Sequence, residues 1–277
     1  MKYVLVSTNN VRRYMAAAEA LEMRLTDREV MGMGLVYGRP GLGKTMWLEY
    51  YKSQMAKREG HVRAFLVRAL AIWTEESMLK DLLAAIGQTP RQYRKDAMFD
   101  QLIEDLTNLP AIFLIDEIDS IAESRRLIAV LKDLHDITGS AILMVGEQRV
   151  DGLLRRYEAF YNRLNTSAIV NVSGHSAADV EAVITQRCDV AVDADVCREI
   201  YDAVGKSMRS VIDQIRAMER ISRNNGWKRV GLAEYRVMGH QKPARRRAGK
   251  QATDGQVSLP LDTEAQDGLA IAGGGHA

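Results

Sequence analysis

The chain has 277 residues, 47% hydrophobic and 27% charged, an ordinary balance for a soluble globular protein with room for one large domain or two smaller ones. A net charge of only +2 gives no overall pull toward nucleic acid, so any basic binding face has to be local. Two cysteines, Cys188 and Cys197, suit neither a zinc site nor a disulfide framework, and they read as buried thiols in a reducing cytoplasm.

The opening MKYVLVSTNN is too short in its apolar run for a signal peptide or a membrane span, so the expectation is a cytoplasmic protein without a targeting segment. Val11, Met15, Ala18, Leu21 and Leu25 recur at three- and four-residue steps and predict an amphipathic helix over 11–25. GLVYG (34–38) reads as a short strand ending in a glycine loop, with a helix from Lys44 to Lys57 after it. A second strand is expected at 61–69, then helices at 75–86 and 95–108. AIFLIDE (111–117) is an apolar strand that turns abruptly acidic. A helix at 123–136, a strand at 140–146, a helix at 149–160 and a strand at 167–173 complete an alternating pattern. Continuous apolar strands separated by helices point to a parallel sheet buried on both faces. Beyond Gly174 the pattern turns helical, with segments at 176–187, 193–204 and 207–224 and no strand; Ser176 and Asp179 make a capping pair for the first. From Gly239 onward large apolar residues are scarce, which reads as a disordered basic and polar tail.

The stretch from Gly38 to Thr45, GRPGLGKT, fits G-x-x-x-x-G-K-[ST]. Gly38, Gly41 and Gly43 let backbone N–H groups converge on a phosphate at a helix start, and Arg39, Pro40, Leu42 and Met46 complete the cradle. Lys44 supplies a point charge to the β- and γ-phosphates, and Thr45 a hydroxyl for Mg²⁺. The bland alternative is a glycine-rich turn that happens to carry Lys. Asp116 fits a second Mg²⁺ contact through water, and Glu117 the base that orients an attacking water. The alternative is a solvated strand end. Because the 61–69 strand intervenes in sequence, the phosphate-loop strand and the Asp-Glu strand should not be neighbours in the sheet. Asp119 reads as a helix cap. Past the fourth strand, Glu147 or Gln148 could reach the γ-phosphate or the water, or be an idle loop residue. Arg163 could project into a neighbouring subunit's nucleotide, or lie on a helix face; Arg209 could fold over the γ-phosphate, or make a surface salt bridge.

Taken together, Gly38–Thr45, Asp116–Glu117, the strand before Gly146, Arg163 and Arg209 resemble, in kind and order, the Walker A, Walker B, sensor 1, arginine finger and sensor 2 of the AAA+ ATPases, over residues 1–225. The resemblance implies a P-loop α/β fold of AAA+ type. Its five-stranded parallel core over 1–174 would be flanked by helices and followed by an all-α lid over 175–238 and the tail over 239–277. Within that superfamily, the residues through the phosphate loop look like the B-type target-DNA ATPases of Mu-like phages and related bacterial transposons. Asn10 and Val11 are then candidates for contact with adenine. About thirty-five residues precede the loop, too few for the N-terminal helix-turn-helix domain of the longer phage proteins, and the sensor 1 position lacks the common Asn, Ser or Thr.

The resemblance implies an ATP- and Mg²⁺-dependent ATPase in a bacterial host cytoplasm. It would self-associate as a ring or filament on double-stranded DNA without reading sequence, and recruit and stimulate a transposase. Arg91, Arg94 and Lys95, and Arg125 and Arg126, are the candidate phosphate contacts, solvated helix faces being the alternative. KPARRRAGK (242–250) could add salt-dependent DNA affinity or keep the tail soluble. Two other functions remain open: an ATPase acting on a protein client such as a replication or secretion factor, and a nucleotide-dependent scaffold that barely hydrolyses.

Overall fold

A computed structural model describes residues 1–2, 4–27, 29–58 and 62–239. The tail expected from Gly239, with its KPARRRAGK run, lies outside the described residues beyond that first glycine. The described residues belong to one compact unit.

Helix α1 (Asn9–Glu22) starts where the Thr8 hydroxyl accepts the Val11 N–H, and its buried face is Tyr14, Ala17, Ala18 and Leu21. Strand β1 (Met33–Gly38) leads through the glycine loop to α2 (Lys44–Met55). Then come β2 (Arg63–Arg68), α3 (Glu75–Ala85), α4 (Lys95–Leu106) and β3 (Ala111–Asp116). A 3₁₀ turn at Ile118–Ser120 precedes α5 (Arg125–Thr138), which Gly139 ends in the left-handed conformation at φ +72°. Strand β4 (Ala141–Gly146) is followed by two short helices, α6 (Val150–Leu154) and α7 (Glu158–Tyr161), where the sequence predicts one, and then by β5 (Leu164–Val172).

All five strands are parallel, in the order β2-β3-β4-β1-β5. Every residue of β3 and β4 is buried, as continuous apolar runs require of central strands covered on both faces. One face packs Leu82, Leu102, Leu131 and Leu134 of α3, α4 and α5 against Phe113 and Met144. The other packs Tyr14, Trp47 and Tyr51 of α1 and α2 against Val36 and Leu143. Strands β1 and β3 are not neighbours, as expected, but the strand between them is β4; β2 sits at the sheet edge beyond β3.

The helical segment contains α8 (Ala177–Arg187), α9 (Ala194–Val204), α10 (Met208–Asn225) and α11 (Leu232–Gly239), around a core of Val180, Ile184, Ile200, Val211 and Ile215. It is not strandless: β6 (Ala191–Val192) and β7 (Arg229–Val230) form a two-residue parallel pair. Cys188 and Cys197 are free and buried there, and burial pushes the Cys197 thiol up to about 11. Among the described residues no helix is long and apolar enough to cross a membrane.

Hydrogen bonds attach α8 to the chain's first residues, among them one from Arg187 Nε to the Lys2 carbonyl at 3.3 Å. The Lys2 N–H donates to the Arg187 carbonyl at 2.8 Å, and the Asn9 N–H to Asp179 Oδ1 at 2.8 Å. Asp179 also closes the capping box, accepting from the Ser176 hydroxyl (2.8 Å) and N–H (3.1 Å). Burial works to raise the Asp179 pKa, but the donors from Asn9 and Ser176 outweigh it and hold the carboxyl below its ordinary value. A depressed folded-state pKa adds stability that is present above the unfolded carboxylate range and is lost as pH falls through the folded value. Asp179→Asn should therefore lower the thermal midpoint at neutral pH, and the gap from the unmodified protein should begin to close as pH drops below about 4 and vanish below the folded-state value. A gap of constant size across an acid titration would contradict this account.

Candidate functional site: a phosphate loop under a helical lid

Strand β1 stops at Gly38, and Gly41 (φ +80°) and Gly43 (φ +86°) bend the loop into α2 through conformations that side chains rarely adopt. Lys44 Nζ donates to the carbonyls of Gly38 (2.7 Å) and Arg39 (2.9 Å), which holds the ammonium beneath the loop. Burial pulls its pKa down, and Asp116, Glu147, Asp119 and Glu117 pull it back. Thr45 Oγ1 donates to Asp116 Oδ2 at 2.8 Å. Asp116 Oδ1 accepts the Glu117 N–H at 3.0 Å, so both oxygens of this buried carboxylate are used.

Glu117 is one of two non-glycine residues with positive φ among those described, at +57°. Such a backbone costs free energy and concentrates at functional sites; here it turns the chain out of the strand line beside the cavity. Arg68, at the end of β2 and in register with Asp116, reaches Glu117 Oε1 at 3.4 Å.

Lys44, Thr45, Asp116 and Glu117 line a cavity of about 400 Å³ whose wall also includes Arg187 of α8 and Met208, Arg209, Asp213 and Arg216 of α10. Helix α10 rests on the loop itself. The Arg209 N–H, an amide in the first turn of α10 that the helix leaves free, donates to the Gly41 carbonyl at 3.3 Å. A Cβ on Gly41 would lie 2.7 Å from Ser207 Oγ. A narrower slot continues from the cavity, sharing Leu42, Gly43, Met46, Arg187 and Met208, and is otherwise walled by Leu5, Val6, Thr8, Val11, His175 and Val183.

The structure brings Pro40, Gly41, Leu42, Gly43, Lys44, Thr45, Met46, Asp116, Glu117 and Arg209 to the cavity wall. Gly38 and Arg39 contribute the carbonyls under Lys44. Glu147 lines the cavity, whereas Gln148 is exposed and is not among its lining residues. Asp119 is no helix cap: it sits in the 3₁₀ turn, and its Oδ1 accepts the Glu147 N–H at 2.7 Å. Val11 lines the slot, and Asn10 is buried with its amide donating to the Ser173 carbonyl at 2.9 Å. Arg163 stands at the start of β5, away from the cavity, with Nε and Nη2 on Asp136 at 2.6 and 2.7 Å.

The basic candidates divide. Arg91 is paired with Glu104 (2.8 Å) and Asp105 (3.1 Å), Arg94 with Asp96, and Lys95 with Glu75. Arg125 and Arg126, exposed in the first turn of α5, have no ion-pair partner among the described residues. Sequence reasoning missed Arg68, Arg187, Arg216 and His175. Only Arg216 carried a signal, being seven residues, about two helical turns, beyond Arg209.

For Mg²⁺, the donor set fits: the Thr45 hydroxyl and Asp116 carboxylate are hard oxygens already within hydrogen-bond distance, beside a loop shaped for phosphate. Among the described residues no cluster of three or more His, Cys, Asp or Glu could hold a metal by itself. A cation here would need phosphate oxygens to complete its shell.

Residues 28–154 match a protein family described as an AAA domain. Among solved structures, the Orc1 protein of Aeropyrum pernix in complex with DNA superposes with a TM-score of 0.60 at 17% identity, covering 86% of this chain and 66% of that one, just under two thirds of its length. The fold is the AAA+ P-loop fold. Domain III of the Thermotoga maritima replication initiation protein DnaA is similar at a TM-score of 0.57 and 18% identity, over 85% of this chain and 92% of that one. The Thermotoga maritima RuvB Holliday junction branch migration motor is similar at 0.56 and 18%, over 85% of this chain and 69% of that one. No curated protein sequence matches. Within this AAA+ fold the phosphate loop, the strand-end acids and the lid arginines converge on one cavity.

The Arg68–Glu117 pair is exposed, so Arg68→Ala should change folding stability by less than about 1 kcal/mol. It should also free the Glu117 carboxylate and raise basal nucleotide hydrolysis a few-fold. Unchanged or reduced hydrolysis with stability intact would show that the pair does not restrain Glu117.

Proposed function

We propose that the chain binds ATP with Mg²⁺ between an α/β core (1–174) and a helical lid (175–238), hydrolyses it, and uses the cycle to assemble on double-stranded DNA and deliver that DNA to a transposase. The observation that carries the nucleotide reading is the Thr45–Asp116 hydrogen bond beside Lys44 and Glu117 on one cavity wall. Lys44 leaves its two loop carbonyls for phosphate oxygens, and backbone N–H groups of Gly41 and Gly43 turn toward the same anion. Arg209 and Arg216 offer positive charge from the lid side. Glu117 orients the attacking water and takes its proton as the γ-phosphoryl group leaves the bridging oxygen. Mg²⁺ held by Thr45 and Asp116 would supply charge neutralisation at the phosphates.

Of the two polar residues after β4, the reading favours Glu147 over Gln148 for contact with that chemistry, because Glu147 lines the cavity. Arg163 lies where a neighbouring subunit would have to bring its nucleotide, and Asp136 would have to release it on assembly. Support for DNA as the track comes from similarity to Orc1, described in complex with DNA, and to RuvB, described as a Holliday junction motor. Arg125 and Arg126 are the unpaired cations that would meet its phosphates. The transposase assignment rests on the sequence resemblance alone, as does the host cytoplasm. A protein client is the second reading, favoured by Ile72, 84% exposed in the loop after β2.

Glu117→Gln should keep ATP binding and lose hydrolysis by about 10²–10⁴-fold, as expected on removing a general base. Retained turnover would show that Glu117 is not the general base, and absence of hydrolysis already in the unmodified protein would point to the scaffold. Long double-stranded DNA should stimulate hydrolysis by the purified protein, and the stimulation should fade as salt rises. Substituting Arg125 and Arg126 together with Ala should weaken DNA binding and reduce its salt slope by about 2. No stimulation at any salt, with basal hydrolysis intact, would turn the search to a protein client.

A further inference from the structure

Four carboxylates pull on the Lys44 ammonium: Asp116, Glu147, Asp119 and Glu117. Three of them are answered by donors. Asp116 accepts from the Thr45 hydroxyl and the Glu117 N–H, Glu117 has Arg68 at 3.4 Å, and Asp119 accepts the Glu147 N–H at 2.7 Å. The Glu147 carboxylate has no hydrogen-bond or ion-pair partner among the described residues, yet it lines the phosphate cavity. Its place follows from the sheet. Strand β4 lies between β1 and β3, and Gly146 is in register with Tyr37, one residue before the phosphate loop begins. The next residue along the chain therefore emerges between that loop and the strand-end acids.

Asp119 holds it there. The 3₁₀ turn that carries Asp119 passes so close to the end of β4 that a Cβ on Gly146 would lie 2.7 Å from Asp119 Oδ1 and 2.9 Å from Ile118 Cγ2. The backbone at Glu147 is thus pinned, and its side chain is left bare. An ionised carboxylate only accepts hydrogen bonds, and so does an ionised phosphate oxygen. The two have no donor to share, and at close range they repel.

We infer that Glu147, with Asp119 as its positioning residue, opposes the terminal phosphate of a bound nucleoside triphosphate and so sets the balance between triphosphate and diphosphate in the cavity. This rests on the nucleotide reading of that cavity. The loop amides and Lys44 offer the same donors to a diphosphate and a triphosphate. The third phosphate adds negative charge, and that added charge is what Glu147 repels. The triphosphate is held less tightly than the loop alone would hold it, and departure of the terminal phosphate relieves the repulsion.

The test measures binding of ADP and of adenylyl imidodiphosphate, a triphosphate whose nitrogen bridge resists hydrolysis, to the full chain with Mg²⁺, before and after Glu147→Gln. That substitution keeps the size and removes the charge. The triphosphate should bind about fivefold tighter and ADP less than about twofold tighter, and the gain in their ratio should fade as salt rises. Glu49→Gln removes another carboxylate of the same cavity wall, on α2, and should shift both nucleotides alike. Asp119→Ala should move the ratio in the direction of Glu147→Gln and add nothing to it when both are changed. Asp119→Asn, which keeps an acceptor for the Glu147 N–H, should stay nearer the unmodified ratio. An unchanged or falling ratio in Glu147→Gln, or an equal gain for both nucleotides, would overturn the inference. A ratio shift as large in Glu49→Gln would also overturn it, by assigning the effect to the net charge of the cavity. Should Asp119→Ala fail to fold, Asp119→Asn decides the positioning role: a shift equal to that of Glu147→Gln removes it. Unmodified protein that binds neither nucleotide removes the nucleotide reading itself, whereas binding of both leaves that reading standing whatever Glu147→Gln does.

Discussion

A hydroxyl in the first turn of one helix and a carboxylate at the end of a strand two places away in the sheet meet at 2.8 Å, and the site is organised around that contact. Asp116 is buried, and a buried carboxylate is costly unless donors surround it. Thr45 and the Glu117 amide supply them. Satisfying Asp116 fixes where α2 begins relative to β3, and β4 between β1 and β3 sets the spacing that makes the contact possible. The glycine loop then has one course from β1 to α2. Lys44 lies beneath it, and Glu117 is carried past the buried acid by its left-handed backbone.

The elements that could be read from sequence are those whose burial is uniform. The run AIFLID is fully buried and formed the strand its composition implied, and the Ser176–Asp179 pair closed the capping box its spacing implied. What could not be read depended on partners distant in sequence. Arg91, Arg94 and Lys95 look like a basic patch in one dimension, but acids as far as twenty positions away answer them in three. Arg68 gained its relation to Glu117 only through the pairing of β2 with β3. The β6–β7 pair, at two residues each, is too short to leave a periodic signal. That Glu147 lines the cavity and Gln148 does not follows from Asp119, whose carboxylate anchors the backbone at Glu147 from twenty-eight positions away.

Both signs of charge meet at the site: Asp116, Glu117, Asp119 and Glu147 all act on Lys44, while α10 brings Arg209 and Arg216 together with Asp213, which pairs with Arg216 at 3.5 Å. An anion with a bound cation is the kind of ligand that satisfies both sides together, which is the physical content of the nucleotide reading.

The attachments of the helical unit are unequal. On one side two backbone amides, from Lys2 and Asn9, hold it through Arg187 and Asp179 at 2.8 Å each. On the other the Arg209 N–H donates to the Gly41 carbonyl at 3.3 Å, and Arg187 Nη1 reaches Met46 Sδ at 3.8 Å. The Gly41 carbonyl therefore belongs to two structures at once: it sits in the wall of a cavity of about 400 Å³, and it holds the first turn of α10, so the contents of the loop and the seating of that helix share one group.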